Sequence, residues 1–592
     1  MTPGGPMGGG GMGPSSPAGE EKKEGVAEAA PKTPGLLPTT PALPPPKGRR
    51  KRWKLFELEG YFRLRTDWFK NFNTGFRDNP DLGGAPFPRA LSCGTINEQP
   101  CDGSLSGTNM RLRLEPTFNL DEGTSVHVQA DVYDNLVLGS TPTGMDLSGM
   151  YSDTNLPPLG AFGTDQDPAL AGKNSDRDAI TVKRAWAEVA VPLGILKFGR
   201  QPNHWGMGIY ANGGGNDPIN GTYDYDGDYG DTVDRVSFSA VIPGTALRAM
   251  IASDWSMTRL VSNQTSANKG HEGHPFDLDN SDDMNAWVGV LSKMDSPQEF
   301  RDAVDRGDTA LNYGVYFEYK TQSWDDDLNG FKLGSDLDTA NRYVPRDLKT
   351  YTPDVWAKLG IGPVLLEAEA VAQFGSIKHL DDVGVSGTQS IRKLGGAGRL
   401  TWKGVEGKLR LGLEGGFASG DQWDNSVEGR TNLAYAQLLG DPSICNAQHS
   451  CTLTQFAFDR DYKVDMILWR HLVGAVSNAG YAKPFLAYDL TKSITFKVAN
   501  ITSFALKPVA TPGNSTMYGT EFNGDLGYNG HRIFAGFSYG VLFPFGALGH
   551  PQTDVGDGGP GFSYGGSGDP RGDNTGTATT AHTIQMRLIL SF

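Results

Sequence analysis

Apolar and polar residues alternate strictly through many short stretches of this chain. Phe56, Leu58, Phe62, Leu64 and Trp68 share one parity; Glu57, Glu59, Arg63, Arg65 and Asp67 take the other. Met110, Leu112 and Leu114 oppose Arg111, Arg113 and Glu115, and Leu409, Leu411, Leu413 and Phe417 oppose Lys408, Arg410 and Glu414. Tyr518, Thr520, Phe522, Leu526 and Tyr528 likewise oppose Glu521, Asn523 and Asp525. A period of two puts such sets on opposite faces of a strand. The pattern predicts eighteen strands, at 55–69, 109–118, 125–138, 180–191, 194–201, 232–241, 246–255, 284–295, 309–322, 351–360, 363–374, 391–402, 408–419, 476–489, 493–505, 517–527, 531–541 and 581–592. In 461–473, Val464, Ile467, Leu468 and Leu472 fit helical spacing, so the stretch is assigned to a loop; sixteen or twenty strands are the alternatives.

A soluble sandwich would also alternate, so connection lengths decide. Short turns at 119–124, 192–194, 242–245, 361–363, 403–407, 490–492 and 528–530 take turns with long excursions. The excursions are 70–108, 139–179, 202–231, 256–283, 323–350, 375–390, 420–475 and 542–580. Short turns on one side and long loops on the other predict an all-β, transmembrane antiparallel β-barrel. An even strand count puts both termini on the periplasmic side. Trp68, Trp255, Tyr528 and Tyr539 at strand ends would form aromatic girdles at the membrane interfaces.

Composition fits that picture. No run approaches the roughly 18 apolar residues of a spanning helix. The 38% apolar content suits strands that show an apolar residue to lipid at every second position. The 592 residues carry 79 Gly and a formal charge of −15, and the acid excess argues against a nucleic-acid binder.

Residues 1–54 read as a disordered Gly/Pro-rich arm, and 55–592 as the barrel. The arm ends in a basic cluster at Lys47, Arg49, Arg50, Lys51, Arg52 and Lys54. That cluster suits anionic headgroups or a plain solvated linker. No charged region followed by an apolar core appears in 1–46, so export rests on the rest of the chain. Cys93/Cys101 and Cys445/Cys451 form two local pairs inside long loops. Each suits a disulfide in an oxidising compartment, with four free thiols as the alternative.

The last strand ends Ile584, Met586, Leu588, Leu590, Phe592 on one face. Leu588, Leu590 and Phe592 resemble the barrel-closing terminal signal of Gram-negative outer-membrane proteins. The block Phe198-Gly199-Arg200-Gln201, then His204-Trp205-Gly206-Met207-Gly208 and Asp228-Tyr229-Gly230-Asp231-Thr232-Val233-Asp234-Arg235, resembles an uncharacterised family of porin-like barrels of delta-proteobacterial type. The likeness extends over 53–592. It implies a fold and an outer-membrane location, and no established functional residues.

By resemblance to porins, the loop after the fifth strand folds inward. That predicts a constriction with Asp224, Asp226, Asp228 and Asp231 on the loop and Arg63, Arg65, Arg111 and Arg113 on the wall. Ordinary polar lumen filling is the plain alternative for each residue. The function expected is a channel for passive or selective diffusion of small hydrophilic solutes. Asp224, Asp226 and Asp228 also space oxygen ligands as Ca²⁺ would need, without the remaining EF-hand positions. That motivates the alternative, a closed barrel acting as a surface adhesin or scaffold through acidic loops. Expected partners are outer-membrane lipid, lipopolysaccharide, the barrel-assembly machinery and small solutes, with the chain a monomer or a homotrimer.

An enzyme is not expected. His127 falls in phase with the lumen residues Gln129 and Asp131, and His204 suits loop anchoring. His271-Glu272-Gly273-His274 falls short of the HExxH spacing.

Overall fold

The computed structural model describes residues 54–72, 74, 104–137, 180–214, 230–258, 283–326, 343–378, 388–420, 452–459, 461–511, 513, 515–549 and 577–592. Statements below concern these residues. The arm before residue 54, all four cysteines, and Asp224, Asp226 and Asp228 lie outside them.

The alternating stretches are strands. In chain order they are β1 (Phe56–Lys70), β2 (Ser104–Asn119), β3 (Thr124–Val137), β4 (Ile180–Val191), β5 (Gly194–Pro202) and β6 (Thr232–Val241). Then come β7 (Arg248–Thr258), β8 (Asp283–Lys293), β9 (Thr309–Gln322), β10 (Leu348–Ile361), β11 (Val364–Ile377) and β12 (Gln389–Gly404). The last six are β13 (Leu409–Ala418), β14 (Ala479–Asp489), β15 (Ile494–Ala505), β16 (Met517–Asn529), β17 (Ile533–Pro544) and β18 (Ala581–Ser591). The sheet holds 19 strands; one of them, Thr452–Leu453, only rides parallel on β12, leaving 18 in the ring.

Each strand pairs antiparallel with its neighbours, and β18 returns to β1 through Leu64↔Leu588 and Phe62↔Leu590. The terminal residue completes the seam. Gly60 N–H donates to the Phe592 carbonyl at 3.2 Å, and Phe592 N–H donates back to Gly60 at 3.1 Å. Closure pairs every edge, which is what lets a β-sheet cross lipid. All eighteen strands expected from alternation are present. β2 starts five residues earlier than expected, because 104–108 lacks alternation yet pairs with the top of β1, Lys70↔Ser104.

Leu58, Phe62, Leu366, Leu400, Leu413, Phe522 and Leu588 all project outward, exposed on the barrel surface. Trp255 and Tyr528 are exposed on the same surface near strand ends, whereas Tyr539, expected at a strand end, is exposed mid-strand because β17 runs on to Pro544. A closed barrel with an apolar belt and polar interior is an outer-membrane protein.

One periplasmic connection is more than a turn. Helix α1 (Pro297–Asp305) joins β8 to β9. Ser296 caps it and Glu299 closes a capping box, with Ser296 N–H donating to the Glu299 carboxylate at 2.9 Å and Glu299 N–H to the Ser296 hydroxyl at 3.2 Å. Phe300 is buried against Gly360, beneath Lys358, whose Nζ lies 5.7 Å from the ring. The helix therefore tucks into the periplasmic mouth. Alternation is blind to it, but Ser-Pro-x-Glu was a readable start signal.

The largest buried apolar cluster lies inside the ring, around two loop segments that fold inward, 203–214 and 452–478. That is the reverse of a soluble sandwich.

Candidate functional site

The inner wall formed by β1–β4 is cationic. Odd positions of β1 and β2 face inward, so Arg63, Arg65, Arg111 and Arg113 all point into the lumen and are buried. Across the β1–β2 pair, Arg63 stands opposite Arg111 and Tyr61 opposite Arg113. Asp131 of β3 collects the charge. Arg113 donates to both its oxygens, at 2.7 and 2.8 Å, while Arg111 lies 4.0 Å away and Lys183 3.6 Å. Arg65 pairs with Asp67 on its own strand at 3.0 Å. Arg63, Arg65, Arg111, Arg113, Lys183 and Arg184 gather with Asp67 and Asp131, while Glu57, Glu59, Glu115 and Glu188 lie nearer the periplasmic end of the same strands.

The first inward segment, 203–214, crosses from β5 to the wall of β9–β11. Its turn uses Gly206 at φ +57 and Gly208 at φ +86, and its ends join through Trp205 N–H to the Ala211 carbonyl, 3.0 Å. The wall grips it with carboxylates. Trp205 Nε1–H donates to Asp354 at 3.1 Å, Tyr210 hydroxyl to Glu318 at 2.6 Å, and Gly208 N–H to Glu369 at 3.0 Å. Met207 N–H donates to the same Glu369 oxygen. The Trp205 indole sits among Tyr316 and Trp356, with ring centroids 5.8 and 6.3 Å away. Gly314 makes room for it, since a Cβ there would lie 2.7 Å from the indole.

The second segment, 452–478, spans from β12 and β13 to β16 and β1. Phe456 packs on Gly395, where only a missing Cβ leaves space. Tyr462 and Tyr481 hydroxyls both donate to Glu414, at 3.3 and 3.0 Å. Glu521 of β16 accepts three consecutive backbone N–H groups, from Met466 at 2.8 Å, Ile467 at 3.1 Å and Leu468 at 3.1 Å. These open a π-helical turn, Leu468–Leu472, which is the helical periodicity seen in the sequence. Trp469 Nε1–H donates to Ser503 at 3.0 Å, and the His471 ring meets Phe69 with centroids 5.1 Å apart.

The lumen is thus divided electrostatically. Carboxylates of β9–β16 hold backbone N–H, ring N–H and tyrosine O–H groups, and Glu318 and Glu414 also pair with Lys320 and Arg399 on the same wall. The cations of β1–β4 face the remaining side. The sequence pattern expected acids on the loop facing arginines on the wall; of the described acids that hold the loop, Asp354, Glu318 and Glu369 are on the wall, while Asp231 and Asp461 lie on inward loop segments. Asp231 accepts the Asn212 N–H at 3.1 Å, whereas the acid touching Arg111 and Arg113 is Asp131. Asp354, Glu369, Glu414 and Glu521 were not singled out as site residues, since in sequence they read as ordinary inward-phase carboxylates.

The two histidines fall where their phase placed them. His127 contacts the Thr117 and Ser125 hydroxyls at 3.0 and 2.9 Å and stacks on Trp186, centroids 4.9 Å apart. His204 Nδ1 accepts the Gly213 N–H at 3.2 Å, anchoring the first inward segment. Among the described residues, no cluster of three or more His, Cys, Asp or Glu side chains is arranged to hold a metal ion.

No family model and no curated protein matches the chain. Solved structures that it overlaps include OccK11 (OpdR) of Pseudomonas aeruginosa, at 9% identity, covering 90% of this chain and 96% of that one, TM-score 0.42. Others are OccAB2 of Acinetobacter baumannii, at 8% identity, 90% and 98% coverage, TM-score 0.42, and a BenF-like porin from Pseudomonas fluorescens Pf-5, at 10% identity, 90% and 99% coverage, TM-score 0.40. Likeness this distant carries no argument, and the barrel rests on its own strand pairing.

Proposed function

We propose that this protein is a narrow, porin-like channel for small hydrophilic solutes with a preference for anions. One observation carries the reading: the ring is closed at 18 strands, wide enough for an aqueous lumen, and its cationic β1–β4 wall is opposed by a wall whose acids hold inward segments. Fixed cations on a low-dielectric wall raise the local concentration of anions and slow cations. The reading includes membership of the delta-proteobacterial porin-like family, assembly by the barrel machinery through Leu588, Leu590 and Phe592, contact with lipopolysaccharide, and a monomeric or trimeric state. It also keeps the loop disulfides Cys93–Cys101 and Cys445–Cys451.

The test is conductance of the refolded protein in planar bilayers under a salt gradient. Discrete openings with an anion-selective reversal potential support the reading, and cation selectivity would overturn it. The apolar packing of Phe456, Ile467, Leu468 and Trp469 inside the ring favours one alternative, a plugged barrel serving as a scaffold or an adhesin. Silent bilayers, and calcium-dependent surface adhesion through Asp224, Asp226 and Asp228, would be its signature.

A further inference from the structure

The outer face of β5 and β6 carries an ion pair. Phe198 and Arg200 share the outward parity of β5, because Lys197 and Gln201 on the other parity are buried inside. Asp234 points outward from β6 by the same test, since Arg235 is buried and binds Asp254 in the interior. Arg200 and Asp234 stand directly opposite each other, and the guanidinium grips the carboxylate through two hydrogen bonds, both 2.8 Å. Their side chains remain 51% and 34% exposed. Arg200 Nη1 has no hydrogen-bond partner among the described residues.

This pair interrupts the apolar belt. Outward positions are apolar or aromatic from Leu311 to Tyr319 on β9 and from Ile361 to Tyr351 on β10. Arg200 stands six residues above Gly194, the periplasmic end of β5. The same climb on β9 and β10 reaches Val315 and Val355, each in mid-belt. Six residues of a tilted strand rise about 15 Å, well inside an apolar band of about 25 Å. Below the pair, β5 shows only Leu196 and Phe198 to lipid, and β6 only Val236, Phe238 and Ala240. Charge facing hydrocarbon at that depth is strongly disfavoured. A belt too short for its bilayer is relieved by thinning the bilayer or by oligomerising.

We propose that the β5–β6 face is the surface through which copies of this chain associate in the membrane, with Arg200 of one copy reaching the partner's Asp234. The proposal rests on the barrel, goes beyond the channel reading, and assigns the contact between protomers.

Charge complementarity selects a second copy as the occupant. Copies inserted into one membrane share an orientation, so the axis relating them runs along the membrane normal. Rotation about such an axis beside this face sets the β5 edge of one copy against the β6 edge of the next. Arg200 then meets an acid and Asp234 a base, and the unused Nη1 donor gains an acceptor where no water competes. A lipid phosphate would attract Arg200 but repel Asp234. Ala185 and Ala187, opposite Arg200 and Phe198 on β4, are small enough to let a neighbour come close.

The test is the mass of the full chain refolded in phospholipid vesicles, read by native mass spectrometry and chemical cross-linking. Wild type should be an oligomer. Arg200→Asp leaves two acids on the face and Asp234→Arg two bases. Each alone should fall to the mass of one chain while keeping the heat-modifiable gel mobility of a folded barrel. Refolded together, the two should assemble into oligomers that hold both variants, although neither chain regains its internal pair. That rescue separates contact between copies from stability within one. Should either charge variant not fold, Arg200→Gln and Asp234→Asn take their place, and each should lower the oligomer fraction several-fold. A wild type of one chain, single variants that assemble as wild type does, or a mixture that stays apart would overturn the proposal. Conductance plays no part in this readout, so the channel reading stands or falls separately.

Discussion

Arg63 and Arg111 face each other directly across β1 and β2, both fully buried on the inner wall. Directly opposed like charges weaken a strand pair by about 0.2–1 kcal/mol, so stability does not explain them. Arg111 lies 4.0 Å from Asp131, which also pairs with Arg113 and Lys183. A wall so rich in cations gains most when an anion passes. Arg111→Gln should therefore move the zero-current potential in a potassium chloride gradient toward the cation side. The shift should shrink in molar salt, where the Debye length falls to about 3 Å. An unchanged potential at low salt would remove this wall from the selectivity argument.

The lipid face makes an independent test of the barrel. Leu413 sits mid-strand in β13, opposite Leu400, and is 52% exposed. Replacing it with Arg puts a charge near the bilayer midplane, at a cost of about 2–4 kcal/mol. Urea unfolding of the Leu413→Arg protein in vesicles should shift to lower denaturant by that amount. A neutral result would mean that β13 does not face lipid.

Strands were legible in this chain because lipid on one side and charge on the other force a strict period of two, as in Phe62-Arg63-Leu64-Arg65. Closure on the last strand was expected from the terminal signal at Leu588, Leu590 and Phe592, though not the partner of Phe592, Gly60. The inward segments were legible only in part: resemblance to porins turned the loop after the fifth strand inward, and helical spacing set 461–473 apart, but how they pack was not. Trp205, Met207 and Ile209 are buried on all sides by the barrel wall, and a segment buried all round has no polar face to set a period. Their partners were hidden too, because Glu369 and Glu521 look like ordinary lumen residues until the backbone that they hold is placed against them.

Glu521 is the firmest grip on the second segment, accepting from Met466, Ile467 and Leu468. A hydrogen bond to a charged group contributes about 1.5–3 kcal/mol, and a buried orphan N–H adds its own cost. Glu521→Ala should thus release the π-helical turn while strand pairing holds the ring closed. The expected outcome is faster hydrogen exchange and protease cleavage within 452–478, with the heat-modifiable gel mobility of a folded barrel retained. Glu521→Gln keeps one acceptor oxygen and should fall between. If Glu521→Ala protects this segment as well as wild type does, apolar packing alone holds it.

Gly206 offers the sharpest test that the first segment narrows the passage. Its φ of +57 lies in the left-handed region, which costs a residue with a Cβ about 1–2 kcal/mol. The added atom would also sit 2.5 Å from Glu369 Oε2 and 3.1 Å from the Trp356 ring, on rigid wall strands. Glu369 would have to move, and it holds both Met207 and Gly208. Gly206→Ala should therefore loosen the turn from the β9–β11 wall while leaving the strand pairing intact. Single-channel conductance should rise, and faster hydrogen exchange should be confined to 203–214. Gly244, also at positive φ but with open space around it in a periplasmic turn, supplies the control. Gly244→Ala carries a similar backbone cost and should leave conductance alone. If the two variants behave alike, the effect belongs to general destabilisation and the first segment does not set the pore.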